Sequence, residues 1–167
     1  MTTVAATSLR PSVRTPSSGQ DGRVVERALD EAKRLSREFA QSWQPRIESA
    51  LAEIEAECSA ANWNGDDALP INRAVLAKVH RVTDLIFCYV PVGTPPPDVT
   101  PEPDGEVSIT WTRKADRVFS ISIGSHDKLN YAGRLGKGDE PHDVLPFNSN
   151  DPATIQYLAS FISNLYR

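Results

Sequence analysis

The chain has 167 residues, 40% hydrophobic and 24% charged, and its 18 Lys and Arg against 22 Asp and Glu leave a formal charge of -4. This is the composition of an ordinary globular domain and not of a general polyanion binder, so nucleic acid is not an expected partner. The longest apolar run, Leu85 to Val92, contains a proline and falls far short of the ~20 residues a membrane-spanning helix needs, so no membrane partner is expected either.

Residues 1–21 are rich in Thr, Ser and Pro and have no apolar run of signal-peptide length, and they read as a disordered tail. Residues 22–60 change character. Val25, Ala28, Ala32, Leu35 and Phe39 recur at steps of three and four, and Trp43, Ile47, Ala50, Ile54 and Cys58 carry the stripe onward. The pattern predicts a long amphipathic helix, kinked near Pro45, where the ring removes an N–H and crowds the preceding turn. At 1.5 Å per residue such a helix would span roughly 50 Å, more than a domain of this size needs. Two readings stay open: a hairpin folded at Pro45 over its own sheet, or an arm whose stripe meets a protein partner or a second copy. The second is preferred.

Residues 61–167 predict an α+β domain. Asn62-Trp63-Asn64-Gly65 is a tight turn, and Asn72 caps a second helix with Val75, Val79, Val82 and Ile86 on one face, ending before Pro91. Six prolines between Pro91 and Pro103 make residues 91–103 an extended connection. Beyond Gly105 the period becomes two. Val107, Ile109 and Trp111, then Phe119, Ile121 and Ile123, then Leu129, Tyr131, Gly133 and Leu135 predict a three-stranded antiparallel meander, with a fourth short edge strand at Val144 to Phe147. Asp151 and Pro152 open a C-terminal helix whose buried face is Ile155, Leu158, Ile162 and Leu165.

Several of these residues carry a resemblance. Asn62-Trp63-Asn64-Gly65 with Ala68 and Pro70, Pro103-Asp104-Gly105 with Trp111 after five intervening residues, and Tyr131-Ala132-Gly133 with His142, Pro146 and Phe147 resemble an uncharacterised family of small bacterial proteins. In that family the motifs read N-W-D-G and P-D-G-x5-W, and the genes often lie beside a second small gene. The resemblance covers residues 60–165 and implies a fold and a two-gene setting, with no activity attached.

No residue set reaches the strength of a catalytic signature. Ser125, His126 and Asp127 are consecutive turn residues that cannot align as nucleophile, base and orienter. Gly136-Lys137-Gly138 lacks the hydroxyl residue and upstream glycine of a phosphate loop, and no cofactor is expected. His126, His142 and Asp143 are weak metal candidates, usable only if the third strand brings their segments together. Cys58 and Cys88 show no metal-ligand spacing and read as small buried thiols of a reduced, cytoplasmic protein. The expectation is a non-enzymatic, antitoxin-like, immunity-like or accessory interaction module, binding a protein partner or itself through Leu35, Phe39, Trp43, Ile47 and Trp63. The alternative is a small metal-dependent or hydrolytic enzyme built on His126, His142 and nearby carboxylates.

Overall fold

The structure, a computed structural model, describes the backbone of residues 18–167 and, within it, the side chains of 24–35 and 43–167. The element order is α1 (Ser18–Cys58), α2 (Arg73–Phe87), β1 (Asp98–Pro101), β2 (Val107–Lys114), β3 (Arg117–Ile123), β4 (Lys128–Leu135), β5 (His142–Pro146) and α3 (Ala153–Leu165). The expected tail lies outside the described residues as far as residue 17, and helix already begins at Ser18. The chain divides into two compact units, one ending at Arg34 and one beginning at Leu35.

In the second unit the sheet is antiparallel with strand order β1-β2-β3-β4-β5. It has five strands, not three or four, because the proline-rich connection contributes β1 and the expected edge segment is the full strand β5. Four residues are too few to show an alternation, and Pro101 is compatible with an edge strand because its missing N–H is not needed on the open side. Residues of odd number point to the helical side. Val107, Ile109, Trp111, Phe119, Ile121, Ile123 and Leu129 are all buried there beneath α2 and α3. Even-numbered residues form the opposite face, turned away from α2 and α3, where Ser108 pairs with Ser122 and Thr110 with Ser120 through their hydroxyls at 3.2 and 2.9 Å.

The helices obey their sequence signals closely. Asn72 caps α2 by accepting the Val75 N–H, and Val75, Val79, Val82 and Ile86 are buried. Asp151 accepts the Ala153 N–H, while Pro152 already has helical dihedrals, so the carboxylate caps and the proline opens α3. Pro45 lies inside α1. From Trp43 on, Ile47, Leu51, Ile54 and Cys58 are buried in the domain's own core.

Two aromatic groups hold the ends of that core. Trp43, 2% exposed, donates its Nε1–H to the Thr94 carbonyl at 2.9 Å and packs against Phe87 and Trp111 with ring centroids 5.5 and 6.0 Å apart. On the far side Phe161 of α3 stacks on Phe119 and Tyr131 at 5.4 and 5.5 Å and meets Tyr157 edge-on at 4.9 Å. Burial and the Tyr157 hydroxyl beside it push the Tyr131 phenol up to about 12.

Candidate docking face

The first unit, described from Ser18 to Arg34, is helical, and its apolar residues are bare. Val24 and Val25 are each 67% exposed and Leu29 is 54% exposed. Val25, Ala28, Leu29 and Ala32 follow the i, i+3, i+4, i+7 pattern and so share one side of the helix. Around them the charges balance: Glu26, Asp30 and Glu31 against Arg27, Lys33 and Arg34. Arg34 holds Glu31 through two contacts of 2.6 and 3.2 Å, and this guanidinium keeps the carboxyl below its ordinary range. The result is a neutral-flanked apolar stripe, suited to another apolar protein surface and poorly suited to a phosphate backbone.

The residues expected to bind a partner separate into different environments. Trp43 and Ile47 are buried in their own domain, which removes them from any docking surface. The physical reason is the width of the sheet: with β1 added, the inner face extends far enough to take up the α1 stripe from Trp43 to Cys58. Trp63 is partly buried and donates its indole N–H to the Leu69 carbonyl at 2.9 Å, which makes it a loop anchor. Leu35 is 42% exposed, and the side chain of Phe39 lies outside the described residues. Val24 and Leu29, more exposed than Leu35, lie outside the stripe read from the sequence; the signal for Leu29 was its four-residue step from Val25.

The weak metal candidates do not converge. His142 pairs across the ladder with Ala132, whereas His126 precedes β4 at the end where Lys128 pairs with Pro146. Four steps of strand, from Lys128 to Ala132, separate the two ends by about 13 Å at the usual strand rise. Asp143 faces Tyr131 in register and spends its carboxylate on the Val144 N–H at 2.7 Å. Among the described residues no group of three His, Cys, Asp or Glu side chains could hold a metal ion. The His126 carbonyl instead accepts from Lys78 Nζ, which also bonds the Gly124 carbonyl at 3.0 Å and so ties α2 to the β3–β4 turn. Burial lowers the Lys78 ammonium, against Asp127 and Glu106, which raise it. Lys78 is thus a tie between layers.

Two of the sequence motifs, Asn62–Pro70 and Pro103–Gly105, pack together. The Asn64 carboxamide oxygen accepts the Asp66 and Ala68 N–H groups at 2.8 and 3.3 Å. Positive φ angles fall at Asn62, Gly65 and Asp67, with Asn64 outside that region. The Leu69 N–H bonds the Pro103 carbonyl at 2.8 Å, so this loop is joined to the Pro103-Asp104-Gly105 turn, where a Cβ on Gly105 would touch Leu69 and Pro70. Both motifs therefore build one clamp at the start of the sheet. Of the two cysteines, Cys58 is buried, and that burial raises its thiol, while Cys88 is exposed at the C-cap of α2 instead of packed as expected. No helix among the described residues is long and apolar enough to cross a membrane. No family model, curated protein or solved structure matches this chain.

Proposed function

We propose that this chain is a non-enzymatic protein-interaction module, the accessory, antitoxin-like or immunity-like member of a two-gene bacterial system, docking its partner on the helical face that carries Val25, Ala28, Leu29 and Ala32. The observation that carries this reading is the exposure of Val24, Val25 and Leu29 side by side on a helix. Fully burying such a side chain stabilises a complex by roughly 1.5–3 kcal/mol. From their present exposure the three together supply about 3–6 kcal/mol, comparable with the lower estimates for the cost of association. A partner must therefore add contacts of its own. The balanced charges flanking the stripe favour a protein over a polyanion, and the family resemblance supplies the adjacent gene product as the partner to try first.

The test is coexpression of the full chain with that product, followed by copurification and measurement of the mass of the complex. A defined heteromer that Leu29→Glu abolishes is the expected result, with the urea midpoint of the variant unchanged because Leu29 contributes nothing to the core. Absence of a complex, or a complex indifferent to Leu29→Glu and Val25→Glu alike, refutes this docking face.

A further inference from the structure

The face of the sheet turned away from α2 and α3 has a charge order that only the register reveals. Following the ladders across all five strands, Asp98 pairs with Thr110, Thr110 with Ser120, Ser120 with Ala132 and Ala132 with His142, so these residues form one row on one face. The next row is Thr100, Ser108, Ser122, Asn130 and Val144. The ladder continues one step beyond β1 and β2 through the Glu102 N–H to Glu106 carbonyl bond, placing Glu106 on this face at the end where Lys128 of β4 stands. The centre is thus small and uncharged. The β1–β2 flank is acidic, with Asp98, Glu102 and Glu106, and the β4–β5 flank is basic, with Lys128, Arg134 and His142. Arg134 is engaged by Glu140 at 3.2 Å and Glu106 acts on the Lys78 ammonium of α2, while Asp98 and Lys128 stand in no salt bridge among the described residues.

Such a surface is complementary to itself. A two-fold axis lying parallel to the strands above β3 brings β1 of one copy over β5 of the other and β2 over β4. Asp98 then faces His142 of the second copy, and Glu106 faces Lys128, each contact made twice. Ser120 meets Ser120 on the axis. Strand directions remain aligned, as in face-to-face packing of twisted sheets, where the inner faces lie about 10 Å apart. Any other placement that stacks β1 on β1 sets acid against acid and costs energy.

We propose that the sheet face turned away from α2 and α3 is a homodimer interface whose occupant is a second copy of this chain. Five strands and four rows give a face of about 20 by 20 Å, on the order of 1,000 Å² buried over both copies, close to the lower bound for specific interfaces. The dimer is accordingly weak and reversible, and sensitive to ionic strength because its charged contacts lie at the rim. It is independent of the helical docking face.

Sedimentation equilibrium of the full chain over a range of concentrations and salt tests this. The expected result is a monomer–dimer equilibrium that weakens with salt, that Ser120→Arg abolishes, and that Leu29→Glu leaves unchanged. Asp98→Lys alone weakens it at least tenfold, and the double variant Asp98→Lys/His142→Asp, which swaps both flanks, restores it. Urea midpoints confirm that each variant is folded, and the charge-swap pair decides the matter if Ser120→Arg is not. A chain that stays monomeric at every concentration overturns the proposal. So does a dimer lost on Leu29→Glu but indifferent to Asp98→Lys, which would place self-association on the helix.

Discussion

Gly133 offers the sharpest test of how the sheet and α3 fit together. It faces Phe119 across β3 and β4, and its backbone is not in the left-handed region, so space alone decides what a side chain there does. A Cβ at this position would lie 2.8 Å from Phe119 Cδ2 and 3.2 Å from the Val118 carbonyl oxygen, against the 3.5–4.0 Å of an ordinary contact. The phenyl ring cannot step aside, because it is fully buried and stacked on Phe161 at 5.4 Å, and the carbonyl belongs to the ladder. Replacing glycine by alanine within a strand gains about 0.5–1 kcal/mol of backbone entropy. Forcing an extra carbon into a packed core costs about 1–3 kcal/mol. Gly133→Ala is therefore expected to lose about 1–2 kcal/mol in urea denaturation with an unchanged m-value. Phe119→Leu relieves part of the crowding, so the double variant is expected to be more stable than the sum of the singles by on the order of 1 kcal/mol. If Gly133→Ala is as stable as the parent, or the two changes add within about 0.3–0.5 kcal/mol, the close approach inferred here is wrong.

Two further outcomes follow from burial and charge. A thiol reagent added to the folded chain should modify Cys88 and spare Cys58 until the protein is unfolded, and equal modification rates would contradict the burial of Cys58. The neutral phenol of Tyr131 is favoured in the folded state, so its contribution is intact below the ordinary tyrosine range near pH 10 and is lost as pH rises toward about 12. Urea midpoints measured through that window should fall less in Tyr131→Phe than in the parent, and the difference between the two removes the lowered Lys78, whose titration acts in the opposite sense.

The parts of this fold visible in the sequence are those whose apolar spacing is local. The α2 face, the alternation of β2 to β4 and the Asp151-Pro152 start of α3 need only the neighbouring residues to be read. β1 escaped because Asp98 to Pro101 is too short for alternation and lies among prolines, so that its pairing depends on β2 and not on its own composition. The α1 stripe was visible throughout, but periodicity reports only that a face is apolar. Which stretch the domain covers depends on the breadth of the sheet, which is why Trp43 and Ile47 are core while Val25 and Leu29 are bare. The sheet-face charges were harder still: Asp98 and His142 are 44 positions apart, and only the cumulative register of four ladders sets them at opposite ends of one row.

The way the sheet edges are finished bears on which surfaces are left for association. Because the Glu102 N–H bonds to Glu106, the even-numbered residues at β1 direct their backbone groups to β2, and Pro97, Val99 and Pro101 direct theirs outward. Only Val99 has an N–H to offer there. At the other edge the Gly133 N–H to Pro141 bond puts the outward positions at His142, Val144 and Pro146. The Val144 N–H is taken by Asp143, Pro146 has none, and the Pro146 carbonyl accepts the Thr154 hydroxyl at 2.9 Å. An added strand would meet one free donor on the first edge and that of His142 on the second, too few to sustain a ladder. Lateral growth of the sheet is thus disfavoured at both ends by proline and by a side-chain carboxylate. Binding by this chain is left to surfaces that need no backbone pairing: the bare helical stripe, through apolar contact, and the hydroxyl-lined sheet face, through opposed charge.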